Sequence, residues 1–150
     1  EQGMEAGALA ALLEKKREDV RLFALLDTLE YLKRGGRISK TVAFAGGLLN
    51  IKPLITVEDG EVLVVGKARG AKQGMALLTE KLLSDGGINF DLPILLGYSG
   101  TDASNLEKYR ADSREIWQGR GDTLPSTLLC SVIGTHTGPG VVAAACFKND

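Results

Sequence analysis

Asp59-Gly60 stands between two apolar runs, Leu54 to Val57 and Glu61 to Val65, and this pattern commits the middle of the chain to a tight antiparallel hairpin. A hairpin there excludes an all-parallel sheet. Val20 to Leu26 and Leu92 to Tyr98 read as further strands. Thr127 to Ile133 and Val141 to Phe147 read as a final strand pair, joined by the loop Gly134-Thr135-His136-Thr137-Gly138-Pro139-Gly140. Periodicity predicts a helix over about Gln2 to Arg17, with Leu9, Leu12 and Leu13 on one side. It predicts another over Ala71 to Leu83, with Ala71, Met75, Leu78 and Leu82 facing inward. Asp27 or Thr28 caps a short helix through Leu32 that ends at Gly35-Gly36, and Ser39 opens a helix to about Leu49 that Pro53 forbids to continue. Thr101 or Asp102 caps a charged helix reaching Trp117, on which Ala103, Leu106, Arg110 and Trp117 share a face, the Arg110 stem lying along the core edge. The expected fold is a two-layer α/β domain, a mixed sheet with helices covering one face.

The 150 residues suffice for one domain with a proper core, and neither an internal repeat nor a linker divides them, so residues 1–150 are read as a single domain. A net charge of −1 creates no field toward nucleic acid or anionic lipid, and 5% aromatic content argues against a base-stacking platform. No apolar run has the length of a membrane span and no signal-peptide pattern opens the chain, so a cytoplasmic protein is expected. The chain begins with Glu1 rather than methionine, which reads as a fragment or processed product. Cys130 and Cys146 lie in strand-like apolar runs. Buried free thiols are expected, with a disulfide as the alternative if those strands are neighbours.

His136 is the only histidine. In a glycine-rich loop, flanked by the hydroxyls of Thr135 and Thr137, it has the chemistry to hold a carboxylate or phosphate oxygen; the competing reading is a structural histidine. Arg34 and Arg37 surround the Gly35-Gly36 turn, and Arg69 precedes Gly70. Arginines held at such breaks can grip an anion at two points or anchor a protein partner; the alternative is solvated surface charge. Thr41 to Leu49 is apolar on every side, as in a buried helix, although Gly46 and Gly47 each cost about 1 kcal/mol relative to alanine in a helix interior. Close packing or an approaching ligand would offset that cost. One histidine, two strand cysteines and carboxylates without ligand spacing fit no metal site. No nucleophile elbow and no phosphate loop occurs, so neither a self-contained active site nor a cofactor is expected.

Several segments, taken in order, resemble the C-terminal domain of the DegV family of bacterial fatty-acid-binding proteins. They are Asp27-Thr28-Leu29-Glu30-Tyr31-Leu32-Lys33-Arg34-Gly35-Gly36-Arg37-Ile38-Ser39, Leu48-Leu49-Asn50-Ile51-Lys52-Pro53, Asp59-Gly60, Lys67-Ala68-Arg69-Gly70 and the 134–140 segment. The resemblance implies a long-chain fatty acid as ligand and a non-catalytic carrier. Such a carrier presents its ligand to a fatty acid kinase, which makes the acyl phosphate used in phospholipid synthesis. It implies that His136, with Thr135 and Arg37, belongs to the network at the ligand carboxylate, and that Arg34 and Arg69 stand at the ligand mouth or kinase contact. It implies too that an N-terminal domain, absent from this chain, supplies the remaining carboxylate contacts. Val42, Phe44, Ala45, Leu48, Leu49 and Ile51 are the expected acyl-chain wall. The alternatives are a domain related to dihydroxyacetone kinases, holding a small phosphorylatable substrate, and a pure protein-interaction domain.

Overall fold

The computed structural model describes residues 3–38 and 50–149. Along them run α1 (Ala6–Lys16), β1 (Val20–Leu25), α2 (Glu30–Arg34), β2 (Ile51–Glu58), β3 (Glu61–Arg69), α3 (Gly70–Ser84), β4 (Leu95–Tyr98), α4 (Ser104–Asp112), β5 (Ser126–Leu128), α5 (Ser131–Thr137) and β6 (Val142–Phe147). The strands form one mixed sheet in the order β3-β2-β1-β6-β4-β5, antiparallel except for the β4–β5 pair. The expected Ser39 to Leu49 helix lies outside the described residues.

The hairpin stands where Asp59-Gly60 put it. Glu58 pairs with Glu61, and Asp59 and Gly60 both take positive φ, 49° and 80°, as a two-residue turn matched to strand twist requires. Side chains then alternate across the sheet. Phe23 and Leu25 of β1, with Leu54, Leu96, Val142 and Ala144, face α3 and α4 and meet Met75, Leu78, Leu82 and Leu106 in the main core. Each fully buried leucine there is worth about 1.5–3 kcal/mol. Helices α3 and α4 thus share one face, as expected. On the opposite face Ala24, Leu26, Ile55, Val141 and Ala143 form a smaller cluster, sealed by Leu29 and Leu32 at the start of α2.

Several expectations need correction. The segment read as the strand Thr127 to Ile133 is a three-residue strand followed by a helix, so His136 stands on α5 and not in a loop. The Thr135 and Thr137 hydroxyls donate back to the carbonyls of Ser131 and Ile133, at 2.7 and 3.0 Å, and so join the helix they seemed to interrupt. Cys130, at the start of that helix, is exposed; Cys146 alone is buried, and both thiols are free. Ala71 is exposed, whereas Met75, Leu78 and Leu82 face inward with Gly74. Leu9, Leu12 and Leu13 lie on α1 as expected, and all three are exposed. Helix α4 stops at Asp112, and Trp117 reaches the core from the turns beyond, its Nε1 donating to Ser113 Oγ at 2.9 Å. Arg110 is wholly inside, not at the core edge. Among the described residues no helix is long and apolar enough to cross a membrane.

Candidate functional site

Helix α2 ends in a turn, Gly35-Gly36-Arg37, and α5 packs against it. Two glycine contacts close this junction. A Cβ on Gly35 would fall 2.0 Å from His136 Nδ1, and one on Gly138 would fall 2.3 Å from the Tyr31 ring. Each helix therefore offers a bare Cα to an aromatic ring of the other. His136 Nδ1 is sealed from solvent and has no hydrogen-bond partner. Nε2 is not among the three ring atoms that stand closest to Gly35, which are Nδ1, Cε1 and Cγ.

The chain that follows α5 is held by Ser99, a buried residue just past β4. Its hydroxyl donates to the Gly138 carbonyl at 2.6 Å and accepts from the Val141 N–H at 3.1 Å. Its main-chain oxygen accepts from Gly140 N–H at 3.0 Å. Nothing in the local sequence signals this role, because the partners lie far along the chain. The same is true of Asp27 and Lys52, joined at 2.6 Å. That pair borders a hollow of about 150 Å³ with Asn105 and Gly140, on the α3–α4 side of the sheet. The Asp27 carboxylate lies where a Gly140 Cβ would approach to 3.0 Å.

Arg37 joins the His136 neighbourhood: its Nη1 donates to the Gly35 carbonyl at 3.2 Å, while its side chain remains exposed. Arg34 is exposed in the last turn of α2. Thr135 is exposed, and its hydroxyl hydrogen is spent on Ser131. Arg69 belongs to another part of the molecule, the edge strand β3, opposite Ile51. Ile51 is half-buried at the start of β2, and Val42, Phe44, Ala45, Leu48 and Leu49 lie outside the described residues. An open groove of about 760 Å³ runs between the Gly36-Arg37-Ile38 turn and Val62, Val64 and Lys67 of β3. Its apolar strand wall and its arginine end suit an amphiphilic anion better than a small polar solute. Among the described residues no cluster of histidine, cysteine and carboxylate side chains could hold a metal ion.

A mixed six-stranded sheet, with helices on it and a histidine held in the α2–α5 junction, defines a particular class of α/β lobe. The family model described as "Uncharacterised protein, DegV family" matches residues 1–149. A DegV domain-containing protein of Clostridium acetobutylicum is 32% identical over 151 residues, covering 98% of this chain and 51% of its own length. A fatty acid binding DegV family protein from Streptococcus agalactiae has a crystal structure that matches with a TM-score of 0.79 at 26% identity, covering 99% of this chain and 52% of that one. A DegV family protein from Thermus thermophilus, described by its fatty acid binding, matches with a TM-score of 0.75 at 30% identity, over 99% of this chain and 52% of that one. The chain belongs to the DegV family. It spans about half the length of the curated relatives it matches.

Proposed function

We propose that this chain is one lobe of a cytoplasmic fatty-acid carrier that presents its ligand to a fatty acid kinase and performs no chemistry itself. The observation that carries the reading is the His136 environment. With Nδ1 sealed against Gly35, Nε2 is the ring nitrogen that would meet a carboxylate, and Arg37 stands on the same turn. The two structural relatives described by their fatty acid binding support the ligand class.

The energetics suit a carrier. Each buried methylene contributes about 0.8 kcal/mol, so a long acyl chain gains on the order of 10 kcal/mol gross in an apolar cleft. A carboxylate buried without partners would cancel much of that gain. The division between apolar wall and polar junction meets both demands, with the rest of the full-length protein completing the carboxylate contacts. Arg34 and Arg69, both exposed, serve as contacts for the kinase.

Native mass spectrometry of the full-length protein should recover a bound long-chain fatty acid. A protein that emerges empty and also refuses added oleate would overturn the carrier reading. For the kinase contact, Arg69→Ala is expected to lower acyl-phosphate formation by a fatty acid kinase while leaving oleate content unchanged. Normal delivery by that variant would remove Arg69 from the contact.

A further inference from the structure

The two glycines that end α2 are needed for different reasons. Gly36 has φ +66°, and a Cβ there would meet nothing within 4 Å, so its missing side chain serves the backbone alone. Gly35 has φ −78° and ψ −3°, ordinary right-handed backbone that any residue adopts. On backbone grounds alanine would be the better residue at Gly35, since it restricts the unfolded chain more. What excludes alanine is the His136 ring, three of whose atoms, Nδ1, Cε1 and Cγ, would stand 2.0, 2.7 and 3.2 Å from the new methyl. These atoms belong to a rigid ring hemmed in by the helix junction, not to the free end of a flexible chain.

A histidine ring is usually oriented by a hydrogen bond on the nitrogen that faces away from its ligand. His136 has no such bond, because Nδ1 is buried without a partner. We propose that Gly35 acts in place of that bond, as a positioning residue whose bare Cα fixes the His136 ring so that Nε2 faces the ligand carboxylate. The inference rests on the fatty-acid reading of the site. An N–H at Nδ1 would be buried without an acceptor, so the ring hydrogen belongs on Nε2, where it is donated to a carboxylate oxygen. Arg37 reinforces the arrangement by donating to the carbonyl of the same Gly35. Steric contact thus replaces the usual hydrogen bond behind the ring.

The test is a double-mutant cycle in the full-length protein, read by oleate retention and by thermal unfolding, with Gly36→Ala as the backbone control. Gly35→Ala and His136→Ala should each weaken oleate retention roughly tenfold, the loss of one hydrogen bond to a charged group, and the double variant should be no weaker than either. Gly35→Ala should lower Tm in the parent but leave it unchanged or raise it in the His136→Ala background, where no ring remains to collide. Gly36→Ala should lower Tm equally in both backgrounds, because the strain it adds is in the backbone and not against the ring. If His136→Ala loses oleate and Gly35→Ala keeps it, the positioning role is overturned and the carrier reading stands. If His136→Ala itself keeps oleate, the reading of the carboxylate site is overturned, and the positioning role with it. Should Gly35→Ala prove too unstable to assay, the double variant decides: it must fold as His136→Ala does, and a double variant equally unstable overturns the proposal.

Discussion

Arg110 donates through Nη1 to the main-chain oxygen of Gly121, from inside the protein. Its Nη2 donates to the Leu124 carbonyl at 2.9 Å, and Nε faces the Glu107 carboxylate at 3.6 Å, too far for a hydrogen bond. One guanidinium therefore satisfies two loop carbonyls just before β5 and pins that loop to α4. Arg110→Met would leave both oxygens without their donor, and a loss of about 2–4 kcal/mol is expected in urea unfolding. Arg110→Lys should recover only part of it, because an ammonium lacks the fork that spans both acceptors.

The two thiols should differ sharply in reactivity. Burial pushes the Cys146 thiol up to about 11, and its side chain is enclosed in the main core. At pH 8 its thiolate is then on the order of one part in a thousand. Cys130 is exposed at the start of α5. Titration of the native protein with a thiol reagent should show one fast equivalent, abolished by Cys130→Ser, and a second that appears only on unfolding.

Elements whose pattern is local were legible in the sequence. Asp59-Gly60 placed the hairpin because its turn needs two residues at positive φ, and the Met75, Leu78 and Leu82 stripe placed α3 because its period is helical. Helix α5 was misread because Val132 and Ile133 are β-branched and apolar, which suggests a strand, yet both point to solvent. The glycines around His136 suggested a loop, whereas Gly134 lies within the helix and Gly138 accepts the Tyr31 ring. The site itself depends on contacts between distant segments, Gly35 with His136, Ser99 with Gly138, and Asp27 with Lys52. No local periodicity encodes such pairs.

Stability should fall at both ends of the pH range. Burial pushes the Tyr109 hydroxyl up to about 12; Thr79 and Ser113 offset a little of this, although neither meets the hydroxyl at hydrogen-bonding geometry. A pKa raised on folding stabilises fully below the unfolded value, here 10.0, and the contribution is lost as pH rises toward 12. The shift corresponds to about 2–3 kcal/mol, and the Cys146 thiol adds a loss in the same direction starting near pH 9. In acid, the hydrogen bond from Lys16 holds Asp19 below the usual carboxylate range, and the Ser104 hydroxyl does the same for Asp102. Those contributions are present above about pH 4 and vanish as pH falls through the folded values. Tyr109→Phe should flatten the alkaline limb in urea titrations at pH 9 to 11.5 and leave the acid limb unchanged. At pH 7 it should be neutral or slightly stabilising, because the hydroxyl it removes is buried without a hydrogen bond.

Ser99→Ala tests how firmly α5 is held. The hydroxyl makes two buried hydrogen bonds at once, to Gly138 and from Val141, on either side of the turn that carries the chain from α5 into β6. Its removal strands an oxygen and an N–H in a buried setting, for an expected cost of about 2–3 kcal/mol. The main-chain bonds of residue 99 to Gly140 and Val141 survive the substitution, so β6 keeps its register. The loss should therefore concentrate at the C-terminal end of α5. Hydrogen exchange would show it as faster exchange of the Gly138 and His136 amides, with those of β1 and β6 unchanged. Uniform acceleration across the sheet would mean that Ser99 supports the whole fold rather than the His136 junction.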